Sequence, residues 1–169
     1  MVNFARKAVL ITEGDESHAL YVLLSGKVRI YSSDDSGKEL VLGECGPGSL
    51  LGELALDGGV RSASVVALEA TRCAVISREA LLARLAAEPE LALEILCVLS
   101  RRLRSATEIA KQLALSNVYS RVVSLLTSLA ETNAAGERVV EAGLSQQAIA
   151  QRVGASRDMV NRVFKELVK

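Results

Sequence analysis

The sequence predicts an α+β protein: a strand-rich front half, one long helix, and two short helices at the end. Three observations predict it. Turn signals recur roughly every ten residues through the front of the chain. Ser77 to Asn133 is Ala- and Leu-rich, with one proline and no glycine. Beyond it, Ser145, Gly154 and Ser156 punctuate an apolar pattern of helical period.

The apolar runs of the front half are short and separated by Glu13-Gly14-Asp15, Ser25-Gly26-Lys27, Asp34 to Gly37, and Gly46-Pro47-Gly48. Within Lys27–Tyr31, Val28 and Ile30 alternate against Lys27, Arg29 and Tyr31, which suits a strand with one wet face. "RSASVVAL" and "TRCAVIS" predict two further strands. The rhythm is that of a sandwich or barrel. Half of the residues are hydrophobic but only 3 % are aromatic, so the core must be Leu, Val, Ile and Ala.

The pattern changes at Ser77, a plausible N-cap for a short helix. Pro89 fits the first turn of a longer one. On that helix Leu96, Leu99, Leu103, Ala106, Ala110 and Leu113 are spaced 3, 4, 3, 4, 3. Such a seam suits a coiled coil between two copies of the chain. The alternative is packing on the protein's own sheet; the polar flanks ("SRRLRSATE") and the helix length favour the dimer. A break is expected near Leu115-Ser116-Asn117, followed by a helix running to Ala130. "NAAGERVVEAG" reads as a turn-rich connector with a short strand at Arg138 to Glu141.

Ser145 then caps a helix from Gln146 to Val153, Gly154 allows a sharp turn, and Ser156 caps a helix from Arg157 onward. Ile149, Val153, Val160 and Val163 can hold the two together, and Ala150 is small enough to let them approach. This is the shape of a helix-turn-helix, with an unrelated helical hairpin as the bland alternative.

Charge is zero overall but unevenly spread. Residues 1–94 hold 9 Lys+Arg and 14 Asp+Glu; residues 95–169 hold 11 and 6. A basic rear half is the footprint of a nucleic-acid surface, and equally of solvated helices. Cys45, Cys73 and Cys97 are too scattered for a disulfide framework or metal knuckle and read as small apolar fillers. The single histidine, His18, lacks partner ligands, so no metal and no catalytic residue is expected. No apolar run is long enough to cross a membrane, and no basic-then-apolar leader is present. The expectation is a soluble cytoplasmic protein with no membrane partner.

"GELALDGGVRSAS", Gly52 to Ser64, places an acid (Glu53) and a base (Arg61) in a glycine-rich loop between apolar strands. Such residues can serve solubility, pair with each other, or hold a ligand that carries both a hydroxyl and a negative charge. Strands, seam helix and helix-turn-helix in this order resemble the catabolite activator/FNR (Crp-Fnr) family of bacterial transcription regulators. "GELALDGGVRSAS" is similar to that family's phosphate-binding cassette, and "QQAIAQRVGASRDMVNRVFKEL" to its DNA-reading element.

The resemblance implies a jelly-roll-like cyclic nucleotide-binding β-roll over residues 1–88, a dimerisation helix over 89–116 and a DNA-binding domain over 117–169. It implies a non-enzymatic regulator whose effector is a cyclic nucleotide, cAMP before cGMP. Arg61 and Ser62 would donate to the phosphate, with backbone N–H groups near Ala63. Gly52 would let the backbone approach, Glu53 would accept from the ribose 2′-hydroxyl, and Leu54 and Leu56 would anchor the loop in the core. Arg102 matches the arginine that the seam helix sends to the site. Ala106-Thr107 stands where the activator has Thr-Ser against the purine; Thr107 keeps a hydroxyl and Ala106 does not.

For DNA, the resemblance implies base reading by Arg157, Asp158 and Arg162, with phosphate contacts from Gln146 and Ser156. Implied partners are double-stranded DNA, a second copy of the chain, and RNA polymerase as a further candidate. The family continues into a β-hairpin wing where this chain reaches Lys169, so the wing is expected to be missing, and the leading segment before Arg6 is short. Two other readings stay open. One is a regulator of the same shape that needs no ligand or senses another one, a cyclic dinucleotide included. The other is a jelly-roll metal enzyme, which needs several converging histidines or carboxylates.

Overall fold

The structure is a computed structural model and describes residues 1–133, 136–140 and 144–168. It divides into two compact units: Met1–Ser33 with Val41–Arg104, and Asp34–Leu40 with Ser105–Lys169.

The first unit is built on short antiparallel strands: β1 (Val2–Phe4), β2 (Val9–Ile11), β3 (Leu20–Ser25), β4 (Val28–Ser33), β5 (Glu39–Cys45), β6 (Leu50–Leu51), β7 (Ser64–Ala67) and β8 (Thr71–Ile76). They form two four-stranded sheets, ordered β1-β8-β3-β6 and β2-β7-β4-β5. Both contribute to one core: Leu10, Ile11, Val28, Val65 and Ala67 come from one sheet, Leu23, Leu51 and Cys73 from the other. The repeated turn signals thus mark a two-sheet roll, within the sandwich or barrel that their spacing predicts. A 3-10 turn, Glu53–Asp57, leaves the end of the first sheet. Ser77 caps α1 (Arg78–Ala87), its hydroxyl accepting from the Ala80 N–H at 3.2 Å. Pro89 is the first residue of α2 (Pro89–Leu115), where a missing N–H costs nothing.

No residue of α2 is buried by its own chain. Leu96, Leu103, Ala106, Ala110 and Leu113 are exposed and Leu99 is half-buried, so the heptad stripe is not consumed as intramolecular core.

The second unit holds α3 (Val118–Leu129), β9 (Ala130–Thr132), β10 (Arg138–Val140), α4 (Gln146–Val153) and α5 (Arg157–Leu167). Asn117 caps α3 by accepting from the Ser120 N–H at 2.8 Å. Val122, Ile149, Ala150, Val153, Ala155, Val160 and Val163 form its core. The apolar set expected from sequence packs together, and Val122 of α3 adds the third wall.

Three expectations need correction. Helix α3 ends at Leu129, because Ala130 opens β9. Strand β9 itself was not expected: Ala-Glu-Thr has no apolar alternation, and its pairing with β10 is set by a turn in which Asn133 Oδ1 accepts from the Glu137 N–H at 2.9 Å. Strand β10 is described as Arg138–Val140, and Glu141 lies outside the described residues, as does Lys169. Finally, only Cys73 is an apolar filler in full; burial pushes its thiol pKa up. Cys45 is half-buried and Cys97 is exposed on α2. Among the described residues no helix is long and apolar enough to cross a membrane.

Leu23 is fully buried between the sheets. Leu23→Ala is expected to destabilise the strand-rich unit by about 2–5 kcal/mol, read as a lowered urea midpoint of its unfolding transition.

Candidate functional site

The loop Gly52–Ser64 is organised by one buried guanidinium. Arg61 is only 4 % exposed. Its Nη1 donates to the Gly52 carbonyl at 2.8 Å, and its Nη2 donates to the Ala19 carbonyl and, at 3.4 Å, to Ser17 Oγ. Its main chain is fixed as well: the Arg61 N–H donates to Asp15 O and the Gly14 N–H donates to Arg61 O, each at 2.8 Å. Its Nε is buried and has no hydrogen-bond partner among the described residues.

Glycine at position 52 is a geometric requirement. Its φ is +81°, and a Cβ there would stand 2.5 Å from Arg61 Nη1 and 3.1 Å from Ala19 O. The missing side chain therefore makes room for the arginine itself. Glu53 begins the 3-10 turn and is 4 % exposed. It pairs with Arg102 of α2, whose Nη2 also donates to Leu50 O at 2.5 Å. The acid and base of the loop are thus not paired with each other: Glu53 takes Arg102, and Arg61 takes main-chain carbonyls.

Ser62 is exposed and Ala63 half-buried at the mouth of β7, while Ser64 is buried and accepts from the Glu13 N–H at 2.9 Å. Leu54 does not anchor the loop. It is 54 % exposed, because the three-residue period of a 3-10 turn puts Glu53 and Leu56 on one side and Leu54 on the other. Thr107 is exposed on α2 and belongs to the second compact unit. His18 is exposed, and among the described residues no three His, Cys, Asp or Glu side chains converge as a metal site.

Sequence reasoning missed the β2–β3 loop. Asp15, Ser17 and Ala19 clasp Arg61 largely through main-chain atoms, which leave no signature in residue type. Gly14, with φ of +86°, is the one local hint that the loop turns back on itself.

In the second unit, Ser145 and Ser156 cap α4 and α5, accepting from the Ala148 and Met159 N–H groups at 3.1 and 3.3 Å. Gly154 adopts the left-handed conformation between them, φ +62° and ψ +41°. Val160 and Val163 point inward, which leaves Arg157, Asp158 and Arg162 exposed on the first turns of α5. Gln146 is half-buried at the start of α4.

A cyclic nucleotide-binding domain model matches residues 1–88, and a Crp-like helix-turn-helix domain model matches residues 120–169. The chain is 36 % identical over 169 residues to a CRP-like cAMP-activated global transcriptional regulator of Mycobacterium tuberculosis, covering 98 % of this chain and 75 % of that one. It is 31 % identical to the cAMP-activated global transcriptional regulator CRP of Escherichia coli, covering 97 % and 80 %. Among solved structures it resembles the c-di-GMP responsive global regulator CLP of Xanthomonas campestris, with a TM-score of 0.85 at 29 % identity over 99 % of this chain and 85 % of that one.

A two-sheet roll with a buried arginine in its loop, followed by a long helix and a helix-turn-helix, defines a ligand-responsive DNA-binding transcription regulator and not an enzyme. The chain belongs to the Crp-Fnr family. Membership brings double-stranded DNA and a second copy of the chain as partners.

Removing Arg102 leaves Glu53 a buried, uncompensated carboxylate. Since the Arg102 side chain is 29 % exposed, Arg102→Met is expected to cost on the order of 2 kcal/mol, below the ~3–5 kcal/mol of a fully buried pair. Adding Glu53→Gln should recover part of the loss. Equal urea midpoints for the single and double variants would contradict this.

Proposed function

We propose that the strand-rich unit binds a cyclic purine nucleotide, cAMP first, and that the bound nucleotide sets the DNA affinity of a dimer. The observation that carries this reading is the buried Arg61 with an unspent Nε–H donor. Buried donors in native proteins nearly always have partners, so such an orphan asks for a ligand. A cyclic phosphate supplies an oxygen acceptor for such a donor. In this reading Ser62 and the N–H groups around Ala63 complete the phosphate cradle. Gly52 keeps the arginine in place, Leu54 lines the mouth of the loop, and Glu53, oriented by Arg102, accepts from the ribose 2′-hydroxyl.

The same reading assigns residues 1–88 to the ligand roll, 89–116 to the dimerisation helix and 117–169 to DNA binding. Leu96, Leu99, Leu103, Ala106, Ala110 and Leu113 form the dimer seam; the exposed leucine stripe of α2 supports it. Arg157, Asp158 and Arg162 read base edges, and Gln146 and Ser156 meet phosphates. Two copies then match half-sites about 34–36 Å apart, and ligand acts by shifting the population toward that spacing. RNA polymerase is a further partner in this reading. A cyclic dinucleotide effector is the second reading, favoured by the similarity to a regulator described as c-di-GMP responsive and by the hydroxyl that Ala106 lacks.

Calorimetric titration of wild type with cAMP, cGMP and c-di-GMP separates these readings. Arg61→Ala is expected to weaken binding of the preferred nucleotide about 10- to 100-fold, the range of a charged hydrogen bond. Equal heats for wild type and variant would remove Arg61 from the site. On DNA, Arg162→Ala should relax base preference at one position by about 1–3 kcal/mol, whereas Ser156→Ala should weaken all sequences alike. A uniform loss from Arg162→Ala, measured by selection from randomised duplexes, would count against base reading.

A further inference from the structure

One arginine of the second unit has a task that its position on a helix does not announce. Arg121, in the first turns of α3, donates from Nε to the Val153 carbonyl at 2.9 Å and from Nη1 to the Ser116 carbonyl at 2.5 Å. Val153 is the last residue of α4, one position before the left-handed Gly154. Ser116 follows α2, and its own N–H bonds back to Gln112 O at 3.1 Å, so its carbonyl continues the C-terminal end of that helix. The guanidinium therefore closes the carbonyl ends of two helices at once. Those ends carry unpaired acceptors and partial negative charge, and a planar cation with donors on two edges suits both.

A second, apolar contact joins the same parts. A Cβ on Gly154 would lie 2.7 Å from Leu113 Cδ2, so the side chain from the last turn of α2 is seated on the glycine of the turn. Leu113 is a seam residue by its heptad position, yet part of its surface is spent here. All of these residues lie within one compact unit.

We infer that Arg121 is a positioning residue: with Leu113 it locks the turn of the helix-turn-helix to the end of α2, and through that lock the state of the long helix sets the presentation of α5. Arg121 reaches two helix ends and does not need to touch DNA. The coupling part of this inference rests on the effector reading above; the lock itself does not.

The test uses the full chain with Arg121→Lys and Arg121→Gln. Lysine keeps the charge but cannot span two carbonyls. Three quantities are measured: cAMP affinity without DNA, the ratio of DNA affinities with and without cAMP, and amide exchange at Gly154 and Ala155. The expected result is cAMP affinity as in wild type, a ratio reduced about 3- to 30-fold, and faster exchange at Gly154 and Ala155. Leu113→Ala should speed the same amides. Arg138→Lys, which alters an exposed arginine bonded to Thr127 O in the same unit, should change none of the three.

An unchanged ratio and unchanged exchange would overturn the inference. So would a fall in cAMP affinity equal to the fall in the ratio, since that reports general destabilisation. If wild type itself shows no cAMP dependence, the effector reading fails, and the lock is then upheld or refuted by the exchange data alone.

Discussion

A guanidinium removed from water must be given acceptors, or the burial costs several kcal/mol. Arg61 is such a group, and the strand-rich unit is shaped around its needs. The Gly52 and Ala19 carbonyls serve its side chain, and Asp15 and Gly14 grip its main chain. Gly52 must lack a Cβ for the first of these contacts to exist. The β2–β3 loop must fold back for the others. The fold thus holds the cation rigidly while leaving Nε uncommitted.

Around that cation the local charge is unbalanced in a useful way. Arg61 and Arg102 carry two positive charges and Glu53 one negative, a net of one positive if all are ionised. Arg102 has a second attachment, to Leu50 O, so the helix end of the pair is held to the same strand that leads into the loop. Preorganisation of this kind lowers the ordering cost of binding.

Much of this was legible in the sequence because the chain advertises it in side-chain chemistry. Ser77, Ser145 and Ser156 each cap a helix, Pro89 and Gly154 mark further boundaries, and Asn117, the cap of α3, lies in the break expected near Leu115-Ser116-Asn117. The inward valines of the last two helices follow from helical period alone. What escaped was written in main-chain geometry. The clasp on Arg61 from Asp15 and Ala19 uses carbonyls that every residue possesses. Leu54 was misplaced because a 3-10 turn exposes a leucine that a strand or helix pattern would bury. Strand β9 has no alternation to read, since the turn at Asn133 imposes its pairing. Arg121 looks like any solvated helix cation until its two carbonyl partners are seen.

The long helix α2 carries a last consequence. None of its 27 residues is fully buried by its own chain, and Leu93, Leu96 and Leu103 stand in water at 57 % exposure or more. A single copy would display a sticky apolar strip about 40 Å long. With the strip covered by a second copy, the helix gains its packing only above a threshold of protein abundance, and its stability varies with that abundance. The concentration of the chain then bears on how much of it is paired, alongside any small molecule. Growth that outpaces synthesis would lower the concentration of the chain, and with it the paired fraction, at a constant level of any effector.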